Sequence, residues 1–451
     1  MRRHLILSFA CLIVLALCVH AQESQLHAEF RNEGESFKKS CGKFSLKSIP
    51  GCAEVLFTGH PLHIAVGSIA PGNGFGVGPA FVTHYTPNPD WQLSFNADAL
   101  VSSNGSWRAG VYGKAVYTHI KLGATEIKPF PILNFYAQGT SLNKVAYYGL
   151  GPDTKRDDQT FFGMRETIVG ANVIYPVFGK PLNLSLQGEV NGRFVDIRES
   201  RGQSAPSIEQ VHTEATAPGL THQPAFVQFG EGVRLKPSIG DYLKLNYSVN
   251  YQQFVAGSDS SFQRLTVDLA HQIPLARKSV ELSRDHNGPD DCSTDPSSKD
   301  HDCPKVTRDR VGSINLRFLL VESYTSSGHV VPFYFQPTLG GSDINGKSGL
   351  ASFQDYRFRA PNLMLLQGSI EHSIYGPVGA TFLAETGKVA LTRGDIEFKH
   401  FRHSYAAGLT LRAGGFPMVY LMYAWGSREG THTIASLNTS LLGGSSRPSL
   451  Y

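Results

Sequence analysis

Apolar and polar residues alternate one by one along most of the chain from about residue 62 onward. In segment 91–102 the apolar positions are Trp91, Leu93, Phe95, Ala97, Ala99 and Val101. Segments 182–193, 243–252 and 313–320 repeat the same pattern. A period of two places alternate side chains on opposite faces of an extended chain. The pattern therefore predicts β-strands with one apolar and one polar face.

The length of these segments distinguishes two kinds of β-protein. Strands of soluble proteins commonly run about 5 to 6 residues, whereas a strand that crosses a bilayer needs about 9 to 11. The alternating segments here run 9 to 16 residues. Their polar face carries ionisable groups in mid-strand, which suits a hydrated lumen better than a packed core. The lumen-facing residues predicted in this way are Asn96, Asp98, Glu189, Arg193, Lys244 and Arg317.

The pattern predicts an all-β, antiparallel transmembrane β-barrel of about sixteen strands, an even number as in bacterial single-chain barrels. The predicted strands are 73–85, 90–103, 106–122, 128–139, 159–178, 180–198, 223–238, 241–256, 260–275, 309–323, 330–338, 361–374, 377–391, 402–413, 416–427 and 432–442. Residues 62–70 could add one more, and the mature chain shows no helical pattern. Short connections are expected on the periplasmic side and long ones outside. The long connections lie near 140–158, 199–222, 283–308, 339–360 and 392–401.

The first 21 residues have the pattern of a secretory signal. Arg2 and Arg3 precede an apolar run from Leu5 to Val19, and the chain then offers Ala21 as a small residue at the cleavage position. The expected organisation is a signal peptide at 1–21, a short periplasmic segment at 22–60, the barrel at 61–443 and a tail at 444–451. This organisation predicts export to the cell outer membrane.

Charge and composition limit the classes of partner that we expect the chain to bind. The chain has 41 Lys+Arg against 37 Asp+Glu, a balance that does not suit nucleic-acid binding. Only 17% of its residues are charged, and 11% are aromatic. Few charges together with many aromatic residues suit an outer surface that faces lipid. We therefore expect outer-membrane lipid as the surrounding medium, while the oligomeric state stays open.

Four cysteines remain after removal of the signal, in two pairs of equal spacing: Cys41 with Cys52, and Cys292 with Cys303. In an exported protein they predict two local disulfides. A zinc site near His286 and His301 is the weaker alternative, because Cys-x-x-Cys spacing is absent. Loop 283–308 is rich in aspartate and is also compatible with calcium binding, but it lacks EF-hand spacing.

No motif in the chain points to catalysis or to a cofactor. Gly72 to Pro79 resembles a phosphate-binding glycine loop, but a strand pattern follows instead of the helix that such a loop requires. Gly-x-Ser-x-Gly and His-Glu-x-x-His do not occur. We therefore expect no enzyme activity, no cofactor and no metal. A hydrolase built from a distant serine and histidine inside the barrel remains as an alternative.

Three segments carry a resemblance to a known family: VPFYFQPTLGGSD at 331–343, FQDYRFRAPNLMLLQGSIEHSIYGPVGATFLAETGKV at 353–389, and SYAAGLTLRAGGFPMVYLMYAWG at 404–426. They resemble the bacterial surface antigen family, the barrel shared by BamA, TamA and the two-partner-secretion transporters. The resemblance implies a sixteen-stranded barrel in the outer membrane. It also implies that residues 339–360 form the sixth extracellular loop and fold back into the lumen.

The same resemblance locates a lumen-loop motif that is altered here. Family members carry an aliphatic residue, Arg-Gly and an aromatic residue at the loop tip, where this chain has Leu350, Ala351, Ser352 and Phe353. The acid on the inner wall that pairs with the family's arginine aligns with Glu385. With Ala351 at the arginine position, Arg357 or Arg359 is the expected substitute partner of Glu385.

The functional expectation is an outer-membrane barrel that acts as a pore or in membrane organisation. Assembly and secretion members of the family carry periplasmic POTRA domains, and the segment before this barrel is too short for one. An assembly or translocation factor that works with separate periplasmic partners or with outer-membrane assembly machinery is therefore the alternative. Protein insertion is less expected without the Arg-Gly motif.

Overall fold

The alternating segments form long antiparallel strands in a computed structural model of the chain. The structure describes residues 23–42, 52, 55–57, 61–118, 130–200, 205–240, 242–283, 303–413, 416–427 and 429–437. The predicted signal peptide, the predicted tail and Cys292 lie outside the described residues. The predicted pairing of Cys292 with Cys303 and both metal alternatives for loop 283–308 therefore stay predictions.

The described residues contain nineteen strands. They are β1 (Leu62–Ser68), β2 (Phe75–Asn88), β3 (Trp91–Ser102), β4 (Trp107–Tyr117), β5 (Ile132–Tyr147), β6 (Thr160–Phe178), β7 (Leu184–Glu199), β8 (Phe226–Leu235), β9 (Ser238–Ile239), β10 (Leu243–Val255), β11 (Phe262–Ser283), β12 (Cys303–Tyr324), β13 (Thr338–Leu339), β14 (Phe358–Arg359), β15 (Asn362–Tyr375), β16 (Val378–Ala390), β17 (Arg402–Ala413), β18 (Phe416–Ser427) and β19 (Gly430–Leu437).

Helices are few among the described residues. They are α1 (Glu23–Cys41) and the single turn α2 (Ile208–Val211), with three 3₁₀ turns, η1 (Arg156–Asp158), η2 (Phe333–Phe335) and η3 (Arg393–Asp395). The expectation of a helix-free mature chain is therefore wrong for the N-terminal segment. The predicted Cys41–Cys52 disulfide is confirmed and links the end of α1 to the residues before the barrel. No helix of the described part of the chain is long and apolar enough to cross a membrane.

Seventeen of the strands form one sheet in which sequence neighbours pair antiparallel. Because β9 has only two residues, sixteen long strands build the wall, as predicted. Their identity differs from the prediction at one place. Residues 330–338 do not join the wall, and β1 takes the sixteenth position by pairing with β2. Residues 331–338 are apolar without alternation because they are buried inside the barrel.

The two ends of the barrel differ in their connections. We call the end with connections 148–159, 200–225, 325–361 and 391–401 the loop end, and the end with connections 89–90, 179–183 and 376–377 the turn end. The predicted external loop 283–308 belongs to the other end, since β11 finishes and β12 begins at the turn end. This placement corrects the expectation that every long connection lies on one side.

The wall has an apolar outer face and a polar inner face. On β8, Val227, Phe229 and Val233 are 45%, 50% and 43% exposed, while Gln228 between them is fully buried. The same division runs around the sheet, so large apolar side chains outside the barrel are exposed to the surroundings. They include Phe95, Val111, Phe135, Val169, Leu186, Val190, Phe194, Val249, Leu316, Ile370, Leu409 and Leu421.

Residues 331–361, which we call the interior segment, fill the loop-end half of the barrel. Tyr356 Oη donates to the carbonyl oxygen of Pro71, next to β1, at 3.1 Å. Arg357 contacts Glu429, in the connection between β18 and β19. One segment thus touches both the beginning and the end of the strand series, which shows that the sheet curls around it. The prediction of a loop that folds into the lumen is confirmed.

Candidate functional site

The interior segment is a hairpin that requires glycine at its base. Gly340 and Gly341 have φ angles of +105° and +56°, and a Cβ at either position would come within 2.5 Å of Arg357 or Asp355. Both the left-handed backbone and the close approach of the two arms therefore favour glycine. The Gly340 N–H donates to the carbonyl oxygen of Gly349 at 2.9 Å, which closes the hairpin.

An aromatic cluster holds the first arm of the segment against the wall. Phe333 packs edge-on against Tyr147 and Phe162, with ring centroids 5.3 and 5.0 Å apart. Phe335 packs against Phe226 and Phe254 at 5.1 and 5.3 Å. Such pairs contribute about 0.5 to 1.5 kcal/mol each beyond the burial of their area. The cluster fixes the segment to strands on one side of the barrel.

The tip of the segment contains the four residues that sequence comparison had singled out. Leu350, Ala351, Ser352 and Phe353 are at most 5% exposed, and Leu350 has a φ of +58°. The Phe353 N–H donates to the carbonyl oxygen of Leu350 at 3.0 Å, and this bond closes a turn. The altered motif is thus a buried turn that docks on the inner wall.

Main-chain groups attach this tip to the wall. The Ala351 N–H donates to Glu385 Oε2 at 2.5 Å, and the Ser352 N–H donates to Ser404 Oγ at 2.8 Å. The other Glu385 oxygen accepts from the Gln367 amide at 2.7 Å. Glu385, which the resemblance placed opposite the motif, thus lies beside it. A backbone N–H is thus the donor that this tip offers to Glu385.

Arg357 lies elsewhere, and its predicted pairing with Glu385 is wrong. Its Nη2 is 2.7 Å from Glu429 Oε1, while Nη1 and Nη2 donate to the hydroxyl and the carbonyl oxygen of Thr154 at 2.8 and 2.6 Å. The guanidinium also lies over the rings of Tyr148 and Phe358 at 4.9 and 4.5 Å. The Arg357 side chain is 2% exposed. We call this group, with Thr154 and Glu429, the arginine latch.

The Arg359 side chain lies against the aromatic cluster. Its Nη1 donates to the carbonyl oxygen of Phe333 at 2.7 Å, and its guanidinium lies 5.9 Å from the rings of Tyr147, Phe162 and Phe333. Its main-chain oxygen accepts from the Gly151 N–H at 2.8 Å. Arg359 thus joins the interior segment to the connection between β5 and β6.

Asp355 braces the hairpin from its second arm. Its Oδ1 accepts the Ser342 N–H at 2.8 Å. Burial raises the pKa of the Asp355 carboxyl, and this hydrogen bond opposes the rise by favouring the charged form. The carboxylate thus replaces a main-chain acceptor where the two arms of the hairpin separate.

A buried ion pair on the inner wall completes the site. One of its two members, Glu166, was not predicted from the sequence. Arg193 of β7 was predicted to face the lumen, and its Nη1 pairs with Glu166 Oε1 of β6 at 2.8 Å. Gln228 accepts from Arg193 Nε at 2.5 Å and donates to Glu189 at 2.7 Å. Alternation could have placed Glu166 on the inner face. Its pairing depends on a register that sequence does not give.

No group of three or more histidine, cysteine, aspartate or glutamate side chains in the described ranges is arranged to hold a metal ion. The inner wall and the interior segment are instead joined by hydrogen bonds, ion pairs and ring contacts. The arrangement suits mechanical closure of a lumen, because the tip binds Glu385 and Ser404 of the wall and Arg357 binds Glu429 between β18 and β19.

The comparisons with known proteins concern the fold. No family model and no curated protein matches the chain. Among solved structures, CdiB from Acinetobacter baumannii is similar with a TM-score of 0.44 and 11% identity, over 84% of this chain and 56% of that chain. BamA from Haemophilus ducreyi lacking POTRA domains 1-3 gives 0.46 and 11%, over 84% and 68%. CdiB from Escherichia coli gives 0.48 and 11%, over 81% and 58%.

The chain thus spans just over half the length of the two CdiB chains. BamA, which the sequence resemblance names, is among the similar structures. The architecture of this chain is an antiparallel β-barrel with an interior loop, as that resemblance implied.

Proposed function

We propose that this protein is an outer-membrane β-barrel whose lumen is held shut by the interior segment. The observation that carries the proposal is the belt of exposed apolar side chains around the outer wall. Phe135, Phe194 and Leu409 are 51%, 54% and 53% exposed at mid-strand positions. Soluble monomers rarely expose a continuous apolar surface of this kind, whereas barrels in membranes require one.

Aromatic residues at the margins of the belt support the same placement. Trp91 and Tyr117 pack together near the turn end, with ring centroids 5.1 Å apart. Tyr405, Tyr423 and Trp425 group near the loop end. Aromatic girdles of this kind mark the two interfaces of a membrane barrel, because their rings suit the headgroup region.

The inner face supports a closed pore. Around Glu189 and Arg317 the turn-end half of the lumen carries polar side chains that water can solvate, such as the Arg317–Asp268 pair, 2.9 Å apart. The loop-end half is filled by the interior segment, with Phe333, Leu350 and Ser352 fully buried. We therefore propose a hydrated chamber that is open at the turn end and blocked at the loop end. This role needs no catalytic group.

Migration on a denaturing gel tests the membrane barrel. The full chain, extracted with detergent from outer membranes, should migrate differently before and after boiling, because a barrel resists unfolding in detergent until it is heated. Identical migration of both samples, together with solubility in the absence of detergent, would refute the barrel assignment.

Planar-bilayer conductance tests closure. The wild-type barrel should show little conductance, and deletion of residues 341–352 should open it. The matched control is Lys347→Ala, which removes an exposed charge from the same hairpin. A wild-type barrel that conducts as well as the deletion variant would contradict the closed state and leave the barrel assignment untouched.

A further inference from the structure

A carboxylate lies within the apolar outer face of β8. Glu231 is the third of five outward positions on β8 and is exposed, with Phe229 before it and Val233 after it on the same face. An ionisable group on a lipid-facing surface is costly and is retained mainly where it binds something. Glu231 belongs neither to the inner wall nor to the interior segment.

The strands beside Glu231 keep it inside the belt. Its register partners are Gly188 on β7 and Tyr251 on β10. The next outward partners are Val173, opposite Gly188, and Leu265, opposite Tyr251. The outward residues beside Glu231 across the sheet are therefore glycine, tyrosine and aliphatic residues, and Gln253 of β10 is the polar neighbour in the same groove.

A groove runs beside this carboxylate. Its volume is about 400 Å³, and its lining includes Ala171, Val173, Gly188, Val190, Phe229 and Glu231. A Cβ at Gly188 would make only ordinary contact, 3.4 Å from a methyl group of Val173. The wall therefore does not require glycine at this position. The absence of a side chain leaves the groove open toward the bilayer.

Two lysines lie at the turn end of the barrel, in the turns that follow β6 and β8, two of the strands that line the groove. Lys180 and Lys236 are exposed in the turn between β6 and β7 and in the turn after β8. These two turns touch, since the Asn183 amide donates to the carbonyl oxygen of Lys236 at 3.0 Å. A negative charge within the belt thus lies above two positive charges at the rim.

The depth of Glu231 suits a lipid headgroup at the turn end. Glu231 is four residues from Leu235, the last residue of β8. This is about 13 Å along the strand and, with the usual tilt, about 10 Å along the bilayer normal. The glutamate side chain spans part of that depth, and local thinning of the bilayer beside the barrel supplies the remainder.

We propose that this groove binds a phospholipid whose headgroup carries a primary ammonium, an inference that rests on the proposed membrane barrel. The ammonium has three donors and no acceptor, so it complements the Glu231 carboxylate. The phosphate of the same headgroup lies near Lys180 and Lys236, and an acyl chain lies in the groove beside Gly188. A choline headgroup, which has no N–H donor, lacks the first contact.

Native mass spectrometry of the full chain in detergent tests the proposal, with added phosphatidylethanolamine or phosphatidylcholine. The wild-type barrel should retain the ethanolamine lipid in preference to the choline lipid. Glu231→Gln should reduce this preference about tenfold through loss of one charge-assisted contact. Gly188→Val, which fills the groove, should reduce retention of both lipids.

Asp196→Asn is the matched control, since Asp196 is an exposed acid on β7 toward the loop end and lies outside the groove. It should leave lipid preference unchanged. Equal retention of the two lipids by the wild type, or an unchanged preference in Glu231→Gln, would overturn the proposal. A mass spectrum in which the wild-type barrel, but not the Glu231→Gln variant, retains a bound polypeptide in place of lipid would also overturn the proposal. The heat-induced gel shift of each variant reports separately whether the barrel itself is present.

Discussion

The tip of the interior segment and its arginine latch are anchored to the barrel by different kinds of group. At the tip, the Ala351 and Ser352 N–H groups bind Glu385 and Ser404. At the latch, the Arg357 side chain binds Glu429 and Thr154. Both places are buried, yet one depends on main-chain donors and the other on a guanidinium.

This difference explains how the segment docks without an arginine at position 351. Any residue except proline at position 351 has a backbone N–H, so the acid on the wall keeps a donor. It brings no positive charge, however, and the buried cation is supplied six residues later by Arg357. The tip should therefore be sensitive to changes in its acceptor, and the latch to changes in its own side chain.

The largest effect is expected from Arg357→Ala. This change removes the guanidinium that binds Glu429 and the Thr154 carbonyl, in a region where the Glu429 side chain is only 17% exposed. Loss of one partner of a buried ion pair costs about 3 to 5 kcal/mol, and we expect the lower end because Glu429 is partly exposed. The measurement is the denaturant midpoint of the heat-sensitive gel shift.

Arg357→Lys is the control for charge alone. Lysine keeps the positive charge but cannot form the forked contact with Glu429 and Thr154 or stack in the same way on Tyr148. Stability should fall between wild type and Arg357→Ala. If Arg357→Ala unfolds at the wild-type midpoint, the latch does not hold the segment.

A smaller loss is expected from Glu385→Ala. The variant leaves the buried Ala351 N–H and the Gln367 amide without this acceptor, at a cost of about 1 to 3 kcal/mol. Glu385→Gln retains a carbonyl acceptor and should recover most of the difference. Equal losses in the two variants would show that charge, and not hydrogen bonding, holds the tip.

Ala351→Arg introduces the arginine that the sequence resemblance led us to expect at this position, and it should destabilise this barrel. Ala351 is 2% exposed and packs against Ala406 and Ala424, both fully buried. A long side chain has no space there, and overpacking costs about 1 to 3 kcal/mol. A variant as stable as wild type in the same unfolding assay would mean that the tip can withdraw from the wall.

The smallest effect concerns Glu214, an exposed counterpart of Glu385. Burial alone would raise the pKa of this carboxyl, but donors from Thr221 and Gly219 outweigh it and lower the pKa. Because the folded pKa lies below the unfolded one, Glu214 stabilises loop 213–221 near neutral pH. That contribution is lost as the pH falls below about 4. The protection factor of the Thr221 amide against hydrogen exchange should fall there in wild type and be low at every pH in Glu214→Ala.

The wall could be predicted from sequence because alternation is a local signal. The predicted strand 90–103 is found as Trp91–Ser102, and 402–413 as Arg402–Ala413. Glu385 could be placed because a resemblance aligned it with an acid that faces the loop tip. In both cases the information lies within a short stretch of chain.

The errors concern contacts between distant residues. Residues 330–338 are rich in β-forming side chains, but residues 331–338 are buried inside the barrel, where they form the turn η2 and only Thr338 pairs, in the short strand β13. Helix α1 has few apolar residues, so periodicity gave no signal for it. Glu429 lies 72 residues from Arg357, and nothing in the sequence links the two. The sequence therefore led to the wrong acid, Glu385, as the partner of Arg357.

The position of Glu429 also ties the interior segment to the last hairpin of the wall. Arg357 precedes β18 and β19 in the chain, and its carboxylate partner lies in the connection between these two strands. The guanidinium has its carboxylate only when the last two strands are in place. Sealing of the interior is thus tied to completion of the wall, so that an unfinished barrel lacks the latch that fastens its own loop.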